Sequence, residues 1–234
     1  MLYNKPTIYN TPTIYNTGAG GGGGGGSVGI SEKNFVVWAP SNNKTHIVIT
    51  NEFIRGVPYG GSSYSENWRY AVEPLYDNKV TWDGLNINDE IEINAIVNCP
   101  RIGSGRTDFF GPSNNFGSLY STDAYKFEIN NYDGKSWFYI LGSDRGGQFN
   151  FDFNTDVTIN LVIKKIDSEN FNFVCKYNGL TKYIGNLSPS SSVRSDMVLP
   201  MFGNPGSSSM MCGCKLLLGS FIRYNENILF GKQL

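Results

Sequence analysis

Two carboxylates in the sequence have a spacing that could support acid–base chemistry. Glu90 and Glu92 are separated by one residue in the run Asp89-Glu90-Ile91-Glu92. Because successive side chains of a β-strand point to opposite faces, both would lie on one face, roughly 6.5 to 7 Å apart along the strand. That separation is close to the range in which two carboxyl groups cooperate in glycoside hydrolysis. A solvated strand face explains the same pattern, and we favour that interpretation.

Nucleophilic catalysis and zinc binding depend on residue types that this chain has in small number. His46 is the only histidine, so a Ser-His-Asp or Cys-His arrangement would have one possible base, and we predict a structural histidine. Cys212 and Cys214 could begin a zinc site, but tetrahedral zinc takes four ligands. We predict no metal and no cofactor, and we interpret the cysteines as buried small hydrophobic residues, with no disulfide framework needed. They are Cys99, Cys175, Cys212 and Cys214.

Three aspartates could supply hard oxygen ligands to a calcium ion. Asp144, Asp152 and Asp156 lie on or beside neighbouring predicted turns. Since no loop has the spacing of a dedicated calcium motif, the sequence leaves calcium binding open.

Aromatic side chains indicate a different chemistry, which is carbohydrate recognition. Sugars stack on exposed rings and hydrogen-bond to neighbouring polar groups. In the strand of residues 136–141, Phe138 and Ile140 suit the core, which turns Trp137 and Tyr139 outward. The loop of residues 59–70 adds Tyr64 and Trp68. These four aromatic residues are our candidate ligand-binding residues, and a role in the core or at a subunit interface remains the alternative.

Composition excludes several classes of function. Charged residues make up 17% of the 234-residue chain and its formal net charge is −1. With the basic residues scattered, the sequence offers no footprint for nucleic acid or for an anionic membrane. No apolar run approaches the ~20 residues that span a bilayer, and the N-terminus has no secretory signal pattern. We therefore expect a protein made in the cytosol, with no nucleic acid or membrane partner.

The first 30 residues differ in character from the rest of the chain. Residues 6–11 and 12–17 repeat one hexad, Pro-Thr-Ile-Tyr-Asn-Thr, and seven consecutive glycines occupy residues 20–26. Proline at every sixth position forbids a helix, and polyglycine cannot form a core. We predict an extended anchoring arm at residues 1–17, a hinge at 18–30 and a folded domain at 31–234. The anchoring residues are Pro6, Ile8, Tyr9, Pro12, Ile14 and Tyr15.

After residue 30 the pattern is one of short strands with period-two alternation. Asp133-Gly134 and Asn178-Gly179 supply turn residues for two-residue hairpins, and no segment has a convincing helical pattern. These features predict an all-β antiparallel sandwich. The predicted strands cover residues 34–38, 45–50, 90–97, 125–129, 136–141, 148–153, 157–166, 171–177, 216–224 and 228–230.

From about residue 68 to residue 234 the sequence resembles a concanavalin A-like jelly roll of the laminin-G kind, in the form found in bacteriophage virion proteins. The resemblance rests on the order of strands and turns in residues 89–95, 135–142, 157–179, 199–204 and 215–226. Glucanases of this fold carry a third acid that would fall at Asn94 or Ala95, and it is missing here. The N-terminal arm resembles the anchors of phage fibre and capsid-decoration proteins.

The resemblance implies a structural virion protein that is not an enzyme. On this interpretation the arm binds a capsid or tail protein, and the sandwich projects as a symmetric homo-oligomer, with a trimer as first expectation. Its location would be the virion, after synthesis in the host cytoplasm, and its ligands would be host or mucosal glycans. The alternatives are a free-standing carbohydrate-binding lectin and, after it, a glycoside hydrolase that uses Glu90 and Glu92.

Overall fold

Two antiparallel β-sheets packed face to face form the described part of the chain in a computed structural model. The structure describes residues 13–15, 29–38, 45–58, 69–75, 80–101, 105–112, 124–203, 210–211 and 213–234. The predicted all-β antiparallel sandwich is confirmed. The one described helix, α1 (Ser191–Arg194), is a single turn, and no described helix is long and apolar enough to cross a membrane.

Sheet I has the strand order β1-β2-β5-β14-β7-β8-β9-β10, and β15 pairs with β5. In chain order its strands are β1 (Thr13–Tyr15), β2 (Phe35–Trp38), β5 (Arg69–Pro74), β7 (Arg106–Pro112), β8 (Tyr125–Asn130), β9 (Lys135–Ile140), β10 (Ser143–Asn150), β14 (Pro200–Phe202) and β15 (Met210–Met211).

Sheet II has the order β13-β12-β11-β6-β16-β4-β3, and β17 pairs with both β6 and β18. In chain order its strands are β3 (Thr45–Ile49), β4 (Phe53–Pro58), β6 (Glu90–Asn98), β11 (Asp156–Lys165), β12 (Phe171–Tyr177), β13 (Leu180–Leu187), β16 (Lys215–Leu217), β17 (Phe221–Tyr224) and β18 (Asn227–Gly231).

The core lies between the inner faces of the two sheets. In β11 the odd-numbered positions Val157, Ile159, Leu161 and Ile163 are buried, because a strand with one face on a core must alternate. Trp82 joins the sheets: its ring meets Tyr125 of sheet I and both Phe171 and Phe173 of sheet II. The alternation therefore identifies the inner face of each central strand.

Turn geometry agrees with the sequence at one predicted hairpin and differs at the other. Asn178 and Gly179 both have positive φ angles, of 48° and 76°, as a two-residue turn between β12 and β13 requires. At the other predicted hairpin, Asp133-Gly134, only Gly134 has a positive φ. The connection between β8 and β9 there has four residues and not two. Leu141 and Gly142, which we did not predict as a turn, form the tight connection between β9 and β10.

Residues 13–15, assigned by sequence to an anchoring arm, form β1 at the edge of sheet I. Thr13 lies opposite Val37, Ile14 opposite Val36 and Tyr15 opposite Phe35. Another chain is therefore not required to order the backbone of these three residues. Pro6, Ile8, Tyr9 and Pro12 lie outside the described residues, and attachment to a particle stays a prediction.

The predicted burial is confirmed for the three cysteines that the structure describes, but two of them form a disulfide that we did not predict. Cys175 is a free, buried cysteine in β12, and burial raises the pKa of its thiol. Cys99 and Cys214 form a disulfide, since antiparallel pairing of β6 with β16 places their backbones side by side. Cys212 lies outside the described residues.

Candidate functional site

Charged and aromatic side chains share the outer face of β7, β8 and β9 in sheet I, which we call the acid-pair face. In β8, Lys126 and Glu128 alternate with the buried Phe127 and Ile129. Since a strand directs alternate side chains to opposite faces, the two charged residues point away from the core.

Strand β9 extends this face as its alternation predicted. Phe138 and Ile140 are fully buried in the core. Trp137 lies opposite Glu128 and Tyr139 opposite Lys126, on the side away from the core. Their role in ligand binding stays a prediction.

A β-bulge in β7 places an aspartate on the same face. Asp108 lies opposite Glu128, and after the irregularity Phe110 lies opposite Phe127. A bulge inserts one extra residue and changes the direction of the side chains that follow it. Phe109 and Phe110 are therefore both buried in the core, while Asp108 remains on the outer face beside Glu128.

These two carboxyl groups, Asp108 and Glu128, form what we call the acid pair. Their exposed fractions are 0% and 1%. The Lys126 ammonium contacts Glu128 Oε2, and the Arg106 guanidinium lies 3.1 Å from Glu128 Oε1. The second contact is an ion pair without hydrogen-bond geometry, because Oε1 has no hydrogen-bond partner among the described residues. Glu128 is thus the member of the pair that two cations stabilise.

Asp108 has no such partners. Neither of its carboxylate oxygens receives a hydrogen bond from a described residue. Burial raises the pKa of Asp108 well above its ordinary value, and nearby Glu128 raises it further against the opposing influence of Lys126. Two buried carboxyl groups side by side cannot both ionise without a large cost. Asp108 is therefore the member of the acid pair whose surroundings favour the protonated form.

The environment of Lys126 favours its charged form, whereas that of Asp108 favours the neutral form. Burial alone would lower the pKa of its ammonium, but Asp108 and Glu128 together raise it above the ordinary value. A protonated Asp108 carries no negative charge. The charged form of Lys126 is then stabilised by Glu128, which contacts the ammonium directly. Lys126 is therefore a fixed positive charge on this face.

Cations of this face also lie over its aromatic rings. Lys126 Nζ is 5.4 Å from the centre of the Tyr139 ring, and the Arg106 guanidinium carbon is 5.7 Å from that of Trp137. Arg69, from β5, donates to the Arg106 carbonyl at 2.6 Å. Trp137 is only 8% exposed, so it does not present an open stacking surface. The accessible groups are Arg106, whose side chain is 61% exposed, and the half-buried Tyr139.

Glu90 and Glu92 lie on the other sheet. Both side chains face the same way, as the spacing predicted, because both contact Arg223 of β17, at 3.5 and 2.5 Å. Asn160 of β11 donates to the second oxygen of Glu92 at 2.9 Å. Both oxygens of Glu92 are thus occupied in a cross-strand network, which fits the structural interpretation of these residues.

The remaining candidate ligands and bases do not gather. Among the described residues, no three side chains of His, Cys, Asp and Glu group as metal ligands. Asp152 accepts from Tyr177, whereas Asp156 accepts from Asn98. His46 lies in β3 with an exposed side chain. Tyr64 and Trp68 lie outside the described residues.

Sequence reasoning missed the acid pair and its cations. Asp108 and Glu128 are 20 positions apart and belong to no spacing motif, so only the pairing of β7 with β8 joins them. One signal was present: each is a carboxylate within a short run of aromatic and branched apolar residues. Such a residue is seldom fully buried without a specific reason.

Comparisons with known proteins add a likeness of fold. No family model and no curated protein sequence matches the chain. An alginate lyase of polysaccharide lyase family 7 is similar at 13% identity and a TM-score of 0.44, over 79% of this chain and 83% of the lyase. Lectin II from Ulex europaeus is similar at 13% identity and a TM-score of 0.42, over 89% of this chain and 97% of the lectin. These are concanavalin A-like sandwiches, and at such values the likeness says nothing about a ligand.

Proposed function

We propose that the chain is a carbohydrate-binding β-sandwich and that the acid-pair face is its ligand site. The observation that supports this most is that Arg106 and Lys126 both contact the buried Glu128 and lie over aromatic rings of the same face, those of Trp137 and Tyr139. A saccharide needs hydrogen-bonding groups beside an aromatic ring. Rigid strands that fix these groups lower the entropic cost of binding.

We favour binding over catalysis for two reasons. The acid pair is inaccessible, with exposed fractions of at most 1%, so its proton cannot reach a glycosidic oxygen in this structure. Glu92 is already engaged by Arg223 and Asn160.

A narrower proposal is that this carbohydrate-binding protein is a component of a phage virion, attached to it through its N-terminal arm. Pairing of β1 with β2 weighs toward the free-standing lectin, since part of the supposed anchor belongs to the sandwich itself. Attachment to a phage capsid or tail, and the trimer, remain predictions. Deleting residues 1–12 leaves β1 in place and tests attachment alone: unchanged incorporation into particles would contradict an anchoring role.

Tyr139→Ala tests the proposed site directly. We expect about fivefold to tenfold weaker binding of the best ligand from a glycan array, since loss of a stacking ring costs roughly 1 kcal/mol. Isothermal titration calorimetry on the full chain measures the change. Tyr132→Ala is the matched control, because Tyr132 is an exposed tyrosine in the β8–β9 connection, away from the strand face. Trp137→Ala is a poorer test, since removal of a buried ring also lowers stability.

Two results would contradict the proposal. One is no binding to any saccharide on the array. The other is a loss of affinity that is the same in Tyr139→Ala and Tyr132→Ala. Release of new reducing ends from a bound polysaccharide would instead favour an enzyme.

A further inference from the structure

The ionisable groups around the acid pair come from several strands and do not balance in charge. Arg106 lies on β7 with Asp108, Lys126 lies on β8 with Glu128, and Arg69 lies on β5. Arg106 and Lys126 contact Glu128, and Arg69 donates to the backbone carbonyl of Arg106.

Other charges on this face do not alter that imbalance. Lys135 and Asp144, on β9 and β10, have opposite signs. Glu73 lies four positions along β5 from Arg69, roughly 13 Å away, and accepts from the Trp38 indole at 3.2 Å. The strand beyond β7, β14, contributes no charged residue. Among the described side chains, the charges in direct contact around the acid pair are therefore those of Arg106, Lys126 and the pair itself.

Only one member of the acid pair is available to neutralise the cations. Glu128 contacts both Lys126 and Arg106, whereas the oxygens of Asp108 lack any described donor although the side chain is fully buried. A buried carboxylate with no donor is costly, so Asp108 holds a proton and is neutral. Lys126 and Arg106 then carry one positive charge more than the Glu128 carboxylate that both contact, and Arg106 is the exposed cation of the two.

We propose that the acid-pair face binds a saccharide bearing an anionic group, and that Arg106 pairs with that group. The inference rests on the proposed function and names its ligand class. A guanidinium matches the planar geometry of a carboxylate and also binds sulfate, so uronic acids and sulfated sugars are the two sources of this chemistry. Tyr139, beside Lys126, offers a ring to the sugar.

The experiment compares ligands that differ in charge alone. The full chain is titrated with an oligouronate, with the same oligouronate after reduction of its carboxyl groups to neutral hydroxymethyl groups, and with a sulfated oligosaccharide of equal length. We expect at least one anionic ligand to bind about tenfold more tightly than the neutral one, with an affinity that falls as salt is added. The anionic ligand that binds shows whether the site takes the carboxylate of a uronic acid or the sulfate of a sulfated sugar.

Two variants with matched charge changes locate the contact. Arg106→Ala should lower the affinity for the anionic ligand about tenfold and the affinity for the neutral ligand by a clearly smaller factor, since the neutral sugar loses a hydrogen-bond donor but no ion pair. Arg106→Lys retains the charge and should recover part of the loss. Lys176→Ala removes an exposed cation from β12 of sheet II and should change neither affinity.

The outcomes separate this inference from the function on which it rests. Equal or tighter binding of the neutral saccharide at the same face overturns the anionic ligand and leaves carbohydrate binding intact. Equal losses of both affinities in Arg106→Ala also overturn it, because Arg106 would then not distinguish the anionic ligand from the neutral one. Failure of every saccharide to bind overturns both proposals.

Discussion

The outer faces of both sheets carry carboxyl groups and cations, but these groups are differently paired on the two faces. On sheet II, Glu92 accepts from Arg223 and Asn160, and Glu90 also contacts Arg223. On sheet I, Glu128 has two cations, but Asp108 beside it is fully buried and has no described donor. A polar network in which every group has a partner stabilises a sheet, whereas a buried unpaired carboxyl group has a cost.

On these strand faces, the carboxylates with unusual surroundings are paired across strands and not along one strand. Paired carboxylates in sequence, such as Glu90 and Glu92, attract attention because their spacing is visible. In this fold they form a cross-strand ladder with Arg223. The less visible pair, on neighbouring strands, is the one whose protonation and charge are unusual.

Removing one cation from each face gives the largest expected contrast. Lys126→Met should lower the free energy of unfolding by about 3 kcal/mol, because it leaves the buried Glu128 without its ammonium partner. Arg223→Met should cost about 1 kcal/mol, since Glu90 and Glu92 are partly exposed to water. Denaturant unfolding measures both variants, and equal losses would remove the distinction between the two faces.

Asp108 should give the sandwich a stability that falls as pH rises. Its pKa is raised above 3.8, so between 3.8 and the raised value the folded chain binds more protons than the unfolded chain. Stability is lost through that window as pH increases. Asp108→Asn should remove this contribution, and unfolding measured at about pH 4 and about pH 7 should then differ less than in the parent chain. An unchanged difference would show that Asp108 is ionised in the folded state.

Asp89 should give a smaller effect of opposite sign. Burial alone would raise the pKa of Asp89, but hydrogen bonds from Asn86, Asn225 and Tyr224 outweigh it and lower the pKa below 3.8. Its contribution to stability is therefore present above 3.8 and is lost as pH falls through the lowered pKa. Asp89→Asn should flatten the acid side of the profile. We expect a small change, since the carboxylate is only half-buried and solvent screens it.

The inner faces could be predicted from sequence because burial imposes a local pattern. In β11 and β12 every second residue is apolar, and those residues form the core. β7 was missed because it has no clean alternation: its bulge turns two consecutive phenylalanines inward, and it ends in Gly111-Pro112. The pairing of residues 13–15 could not be predicted because a lone edge strand gains its stability from a partner, β2, that the local sequence does not reveal.

Alternation along the chain was enough to predict an all-β protein, the residues that face the core in the central strands, and the outward direction of Trp137 and Tyr139. Alternation depends on neighbours two positions apart. Contacts between side chains of different strands could not be predicted in this way, because they depend on how the strands pair. The tertiary structure joined Asp108 to Glu128, Arg223 to both Glu90 and Glu92, and Cys99 to Cys214 over a separation of 115 residues. The physical reason is that the free energy of a charged or sulfur-bearing group depends on its partners and its burial, and both are set by strand pairing.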